Sequence, residues 1–309
     1  MRKSIVFLLL SILIISLCSC ELSMEKPKQG KVHILVYGND YAGTSKPLSY
    51  TVNDAVQVGR VMSKLSIKQN SEYETFFIYG PSIESKKYDK IIASDGINAN
   101  IYHDLSWTFL QKMLAKLKDS SEEGDLVFIF FSGHGGSSIS KQVPYGTDTS
   151  KKGVFCVSDT DVSVSDISDL IEDIPGTKVV FSDFCFSGAF VQAGFVSVTG
   201  DEYSTMDATE LFGLRSEICE SSSTFYLSAS RYYQLSREHE SIKHGYFTKA
   251  LLEAFGWDED KGELVLGKAY MDGKITFFDV ANYIVNNDNE SGQNPMYSGG
   301  SNDIILFSF

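Results

Sequence analysis

Positive charge is scarce in this 309-residue chain, in which 27 lysines and arginines stand against 40 aspartates and glutamates. The formal net charge is −13, and no long run of basic residues occurs. Because nucleic-acid binding depends on clustered lysine and arginine, we expect no nucleic-acid partner. Internal repeats and low-complexity segments are also absent from the sequence, and its length suits one large α/β domain or two small ones.

Long apolar runs are missing except at the N-terminus. Residues 5–17 are mostly apolar and follow Arg2 and Lys3, which is the pattern of a secretory signal peptide. This run is too short to span a bilayer as a helix. The pattern therefore predicts an exported protein.

The end of this segment indicates that the exported protein carries a lipid. The sequence Leu17-Cys18-Ser19-Cys20 resembles the lipobox of bacterial lipoproteins, in which the final cysteine receives the lipid and becomes the new N-terminus. We expect residues 1–19 to be a lipoprotein signal peptide, Cys20 to be the lipidation site and residues 20–30 to form a tether. The lipid would anchor the protein to a membrane of the bacterial cell envelope. An ordinary secretory signal cut nearby is the alternative.

Cysteine is also scarce, with five residues in the chain. Beyond the expected anchor, Cys156, Cys185 and Cys219 remain. An odd number of cysteines in an exported protein argues against a complete disulfide framework and leaves at least one thiol to explain.

Apolar strands alternate with amphipathic helices through the rest of the chain. The predicted strands are 31–38, 74–80, 124–136, 178–185, 223–230 and 302–308, and the predicted helices are 50–65, 106–120, 162–174, 245–256 and 275–288. Nearly continuous apolar strands are typical of a parallel sheet that is covered on both faces. We therefore predict an α/β fold with about six mainly parallel strands and helices on both faces.

Reactive side chains follow two of these strands. The third strand runs into Ser132-Gly133-His134-Gly135-Gly136, and the fourth runs into Asp183-Phe184-Cys185-Phe186-Ser187-Gly188. Carboxyl ends of neighbouring parallel strands meet at one edge of a sheet, where ligands bind. If the two strands are neighbours, a thiol and an imidazole face one another there, as nucleophilic catalysis by cysteine requires.

The residues around this pair are small. Glycines beside His134 let backbone N–H groups approach a substrate carbonyl, as an oxyanion hole needs. A helix that starts after Cys185 would favour the thiolate through its dipole. The alternative is a structural histidine in a glycine turn and a core cysteine that ends a strand.

The two segments resemble the signature of caspase-type peptidases, and most closely that of the bacterial metacaspase-like branch. The histidine and the cysteine lie 51 residues apart (134 to 185), close to the spacing of about 50 in caspases. The resemblance also extends to Asn53-Asp54-Ala55, Ser228-Ala229-Ser230-Arg231, Gly245-Tyr246-Phe247-Thr248 and Gly292-Gln293-Asn294-Pro295.

The resemblance implies a three-layer caspase-like fold and a cysteine endopeptidase that acts through an acyl-thioester. Cys185 would be the nucleophile and His134 the general acid and base, with the N–H groups of Gly135 and Cys185 as the oxyanion hole. Asp54 and Asp183 would line the primary specificity pocket. Two carboxylates there suit a guanidinium or an ammonium, which implies a protein or peptide substrate that is cut after arginine or lysine.

The resemblance also implies a division of the peptidase domain, residues 31–309. Residues 31–196 would form a large-subunit-like part, 197–222 a connector and 223–309 a small-subunit-like part. Because relatives activate by cutting the connector, we take Arg215, the one basic residue between positions 179 and 230, as a possible self-processing site.

One residue departs from the family pattern, and one property of some relatives, calcium binding, has no recognisable motif here. Phe186 stands where the family has a histidine after the catalytic cysteine, which leaves open a catalytically silent protein that binds a partner, or a peptidase of non-basic specificity. Some relatives need calcium, but the acids that could bind it lack a recognisable loop spacing. They are Asp159, Asp161, Asp166, Asp169 and Asp173. We therefore expect no required cofactor and no metal site.

Overall fold

A central sheet organises the computed structural model, which describes residues 30–80, 82, 85–137, 153–191, 223–287, 292–299 and 303–309. The strands are β1 (Val32–Gly38), β2 (Tyr73–Tyr79), β3 (Ala99–Tyr102), β4 (Leu126–Ser132), β5 (Gly135–Ser137), β6 (Gly153–Cys156), β7 (Asp161–Ser163), β8 (Thr177–Asp183), β9 (Thr224–Ser228), β10 (Glu238–His239), β11 (His244–Gly245), β12 (Trp257–Asp258), β13 (Glu263–Leu264), β14 (Tyr270–Met271), β15 (Lys274–Thr276), β16 (Met296–Ser298) and β17 (Ile305–Ser308). The helices are α1 (Thr51–Lys68), α2 (Ser85–Ser94), α3 (Trp107–Ser120), α4 (Val164–Glu172), α5 (Tyr246–Phe255) and α6 (Phe277–Asn287).

Seven strands form the central sheet in the order β16-β9-β8-β4-β1-β2-β3. Within it, β16 pairs antiparallel with β9, and the other neighbours are parallel. The chain runs outward from β1 to β3 and then returns to β4 on the other side of β1. Ligands of α/β proteins bind outside the carboxyl ends of the strands at such a change of direction.

The two faces of the sheet are covered by different helices. Side chains alternate between the faces of a strand, so that Val32, Ile34 and Val36 of β1 pack with α1, α5 and α6. Leu35 and Tyr37 of the same strand pack with α3 and α4 on the other face. Because both faces are buried, the strand sequences are apolar almost throughout. The predicted three-layer α/β fold is confirmed.

Two predicted strands differ from those in the structure. The apolar run 124–136 divides at Gly133 and His134 into β4, in the central sheet, and β5, which pairs with β6 in a separate three-stranded sheet. The last strand, β17, pairs with β15 outside the central sheet. Two central strands, β3 and β16, were not predicted, and the half-buried residues of β3 lack the apolar run that marks the other strands.

Several predictions fall on residues that the structure does not describe. The expected signal peptide, Cys20, the connector 197–222 and Arg215 within it lie outside the described residues. Within the described part of the chain, no helix combines the length and the apolar character needed to cross a membrane.

Candidate active site

The carboxyl ends of β4 and β8 lie side by side, as the sequence predicts for neighbouring strands. Ser132 is opposite Asp183 in the register of the two strands, and the Gly133 N–H donates to the Asp183 carbonyl oxygen at 3.4 Å. A cavity of about 230 Å³ opens at this edge. Four predicted site residues line it, namely Asp54, His134, Asp183 and Cys185.

The His134 ring is held by backbone and by an aromatic neighbour. Its Nε2 lies 2.8 Å from the Lys46 carbonyl oxygen, which can only accept, so that Nε2 carries a hydrogen and Nδ1 is left to take up a proton. The Tyr41 ring lies against the imidazole with centroids 4.5 Å apart. Tyr41 Oη also accepts from the His134 backbone N–H at 2.8 Å and donates to the Cys156 carbonyl oxygen.

The Cys185 thiol is half-buried and donates to the Ser236 carbonyl oxygen at 3.5 Å. Burial raises the pKa of this thiol, and the negative charge of Asp183 acts in the same direction. The expected helix after the cysteine begins at Ala189, after turns at residues 185–188, and its effect on the thiolate stays a prediction. The resting thiol is therefore protonated at neutral pH and needs a base.

Phe186 adopts an unusual backbone conformation directly after the cysteine. Its φ of 65° lies in the left-handed region, which a bulky residue adopts only when its surroundings enforce it. Its N–H donates to the Gln234 carbonyl oxygen at 2.7 Å. This strained turn follows β8, which ends at Asp183, and precedes the helical residues that begin at Ala189.

Gly135 lies so close to Cys185 that no side chain fits. A Cβ atom at position 135 would lie 2.1 Å from the Cys185 carbonyl oxygen. Gly135 faces Phe155 across the β5–β6 ladder, and the Cys156 N–H donates to the His134 carbonyl oxygen. This pattern marks Gly135 as a non-hydrogen-bonded position. Its N–H is therefore not used by β6, as an oxyanion donor requires.

Asp183 is 5% exposed, and both of its carboxylate oxygens accept hydrogen bonds. Ser236 Oγ donates at 2.6 Å, and Thr248 donates through Oγ1 at 2.6 Å and through N at 3.1 Å. Burial raises the pKa of Asp183 to about 7, and the charge of Asp54 contributes to the rise. The two carboxylates therefore act on one another in the same cavity.

Asp54 is 1% exposed and lies in the first turn of α1. One oxygen lies 2.7 Å from His244 Nδ1, and the other accepts from Ser132 Oγ at 3.1 Å. Burial raises the pKa of Asp54 even though these partners oppose the rise. Gly245 separates the two carboxylates, since its N–H faces Asp54 and a Cβ there would collide with Asp183.

Four residues of the site were not predicted from the sequence: Tyr41, Ser132, Ser236 and His244. Ser132 lies within one segment that resembles the caspase signature, and His244 directly precedes another, which is the signal that could have identified them. Tyr41 and Ser236 lie in stretches without a recognisable motif, and their roles follow from contacts made by residues distant in sequence.

The other nearby cysteine, Cys156, does not line this cavity. Burial and a hydrogen bond with Asp161 raise the pKa of its thiol to about 12. Neither Cys156 nor Cys185 forms a disulfide. Among the described residues, no group of three or more histidines, cysteines, aspartates or glutamates is placed to hold a metal ion. The expectation that no cofactor is required stays a prediction.

Comparison with known proteins agrees with this fold. The family model described as Caspase domain matches residues 31–298. The crystal structure of protein GSU0716 from Geobacter sulfurreducens is similar over 90% of this chain and 97% of its own, with a TM-score of 0.53 and 17% identity. At that identity the similarity supports the fold alone.

A second solved structure, a phosphofructokinase-2 mutant from Escherichia coli, overlaps 76% of this chain and 88% of its own. Its TM-score of 0.35 and identity of 9% are too low to carry an argument. No curated protein matches the chain significantly.

Proposed function

This chain belongs to the caspase domain family, and from that premise we propose that it is a cysteine endopeptidase that cleaves peptide bonds after arginine or lysine. Membership of the family supports a cysteine-type peptidase. The preference for basic residues rests on one observation, the pair of buried carboxylates, Asp54 and Asp183, in the cavity that Cys185 and His134 also line. It is this acidic pair that we take as the mark of the metacaspase-like branch.

The two carboxylates support a cationic substrate because burial raises the pKa values of both groups in spite of the partners that they have. The charge of Asp54 contributes to the rise at Asp183. A guanidinium or an ammonium bound between them would offset both effects. A pocket for aspartate would suffer the opposite effect, since a third carboxylate would add to the repulsion.

The proposed reaction begins with the neutral thiol. His134 accepts the Cys185 proton at Nδ1 while Sγ attacks the carbonyl carbon after the bound basic residue. The Gly135 and Cys185 N–H groups donate to the oxyanion. The imidazolium then protonates the leaving amine, which departs as the C–N bond breaks. Water, deprotonated by the same imidazole, hydrolyses the thioester and restores the thiol.

Kinetics with peptide substrates test this proposal. Purified full-length protein with reductant, with and without calcium, should cleave an arginyl or lysyl chromogenic peptide and leave an aspartyl peptide intact. Cys185→Ala should lower kcat/KM by more than about 10³-fold, since it removes the nucleophile. The matched variant Cys156→Ala should retain activity.

Two other outcomes would contradict the proposal. Preferred cleavage after a non-basic residue would establish a peptidase of different specificity. No turnover of any peptide by protein with an intact Cys185 would favour a catalytically silent binding protein, which the presence of Phe186 leaves open.

We also propose lipid anchoring at Cys20 and self-processing at Arg215. The sequence Leu17-Cys18-Ser19-Cys20 supports an exported protein held at a membrane of the bacterial cell envelope. Mass spectrometry of the purified protein tests both proposals. A Cys20→Ala variant should lose the acyl mass, and an Arg215→Ala variant should remain a single chain. Unchanged cleavage at another bond would refute the role of Arg215.

A further inference from the structure

A buried histidine forms one wall of the cluster behind the cavity. His244 in β11 is 1% exposed, and its ring lies between two carboxylates. Nδ1 lies 2.7 Å from Asp54 Oδ1, and Nε2 lies 2.7 Å from Glu259 Oε2. Carboxylate oxygens accept hydrogen bonds, so both ring nitrogens act as donors and the ring is an imidazolium.

The charges around His244 come from three parts of the fold. Asp54 faces it from α1, and Glu259 faces it from the segment after β12. Asp183 in β8 lies beyond Asp54, and the charge of Asp54 contributes to the raised pKa of Asp183. Arg60, also on α1, acts on Glu259, and its guanidinium is paired with Asp95 at 2.6 Å.

These groups differ in how much water screens them. The Glu259 side chain is 37% exposed, whereas Asp54, Asp183 and His244 are all at least 95% buried. The inner cluster therefore consists of two carboxylates and one imidazolium, and its net charge is −1 when both acids are ionised. That charge is equal and opposite to the charge of one guanidinium or ammonium.

We propose that His244 is the buried counter-charge of the specificity pocket: it holds Asp54 in position and cancels one of the two carboxylate charges, so that the pocket binds a single cation. This inference rests on the proposed preference for arginine or lysine. His244 does not line the cavity and is a positioning residue that acts through Asp54.

The proposal makes a specific prediction for a neutral residue at position 244. Without the imidazolium the pocket holds two uncompensated buried negative charges, so that one carboxyl group retains a proton to a higher pH. A bound cation must then displace that proton. Cation binding should consequently need a higher pH, while at sufficiently high pH it should be as tight as in the wild type.

Calorimetric titration with benzamidine, a cationic amidine, measures this effect between pH 5 and pH 10. In the full-length wild type, affinity should rise through about pH 7 as Asp183 ionises. In His244→Gln the midpoint should move upward by about 1–3 pH units. His239→Gln is the matched control, because His239 is exposed and faces His244 across the β10–β11 pair, and its midpoint should stay unchanged.

A measurement on the wild type keeps the test independent of how well His244→Gln folds. In protein with ¹³C-labelled histidine, the His244 ring should stay protonated until about pH 9, because Asp54 and Glu259 raise its pKa to that value. Titration near the ordinary value for histidine would overturn the proposal.

The outcomes of the binding experiment are distinguishable. A loss of affinity in His244→Gln that is equal at every pH would indicate a purely structural role and would overturn the counter-charge. Identical midpoints in the wild type and in His244→Gln would do the same while leaving the proposed function intact. Failure of the wild type to bind benzamidine at any pH would overturn both.

Discussion

Two buried histidines, each between two carboxylates, lie at opposite edges of the central sheet. His33 is at the amino edge, where Nδ1 lies 2.8 Å from Glu74 and Nε2 lies 3.0 Å from Asp125. His244 is at the carboxyl edge, between Asp54 and Glu259. The local arrangement is nearly the same, and Asp54 of the second cluster lines the cavity described above.

The acids at the two edges respond to their surroundings in opposite ways. At the amino edge, burial raises the pKa values of Glu74 and Asp125, but hydrogen bonds and nearby positive charge, including His33, outweigh burial and lower them. At the carboxyl edge, burial dominates and the pKa values of Asp54 and Asp183 are raised. The partners at the amino edge outweigh burial, whereas those at the carboxyl edge do not, and under the proposed function a cationic substrate supplies the remaining positive charge.

The largest expected effect is a difference in kinetics between two glycine substitutions, one at each edge of the sheet. Gly135→Ala places a Cβ 2.1 Å from the Cys185 carbonyl oxygen and should displace the oxyanion donors. We expect kcat/KM for an arginyl peptide to fall by about 10²–10³-fold, the usual loss for such a donor. Gly124→Ala at the amino edge, where no atom lies within 4 Å of the new Cβ, should retain wild-type kinetics. Near-normal activity in Gly135→Ala would contradict this assignment.

The next largest effect is a difference in kinetics between substitutions of two acids, Asp183 at the carboxyl edge and Glu74 at the amino edge. Asp183→Asn removes a buried charge that the proposed function pairs with the substrate, so that kcat/KM for an arginyl peptide should fall by about 30-fold or more. A peptide with uncharged citrulline should lose much less. Glu74→Gln at the amino edge should lower stability and leave both kinetic values unchanged. An equal loss for the arginyl and citrullyl peptides in Asp183→Asn would count against a charge role.

Stability should depend on pH with opposite sign at the two edges. The pKa of His244 is raised from 6.5 to about 9, so its contribution is fully present below pH 6.5 and is lost as pH rises through 9. The pKa values of Glu74 and Asp125 are lowered, so their contribution is lost as pH falls through those values.

Urea unfolding at several pH values measures this difference. His244→Gln should lower the free energy of unfolding by at most about 3 kcal/mol at pH 6, and by little at pH 10. Glu74→Gln should lower the free energy of unfolding at pH 7, and this loss should disappear toward pH 3. The same pH dependence in both variants would refute the contrast.

The smallest expected effect is an absence of change. His33→Gln should destabilise the protein, because it leaves the buried Asp125 and the half-buried Glu74 without their shared partner, but it should not move the pH midpoint for benzamidine binding. If the variant does not fold, Glu74→Gln replaces it in the same titration. A midpoint shift as large as that expected of His244→Gln would show that the two edges are coupled.

The sequence predicted the parts of the fold whose signal is local. Strands buried on both faces are apolar runs, and β1, β2, β8 and β9 were found close to their predicted bounds, whereas β4 ends at Ser132, before the predicted end at 136. The half-buried β3 and the largely exposed α2 lack such a signal and were missed. The helix expected after Cys185 begins at Ala189, but the turn before it, with a left-handed Phe186, was not predicted.

The proposed catalytic pair was also accessible from the sequence. His134 and Cys185 follow apolar runs that the fold places side by side, and the residues around both resemble one family. Their partners were not accessible in this way. Tyr41 lies 93 residues from His134, and His244 lies 190 residues from Asp54, and no periodicity connects positions so far apart.

The order of strands and helices, and the residues at the strand ends, were written in the linear sequence because side-chain periodicity and turn chemistry act over a few residues. The charge state of the site was decided by tertiary structure alone. Burial and Coulomb interactions depend on distances in space, and only folding brings Asp54, Asp183 and His244 together. The same reason distinguishes the surroundings of His33, which lies between Val32 and Ile34 in the sequence, from those of His244, which lies between Lys243 and Gly245.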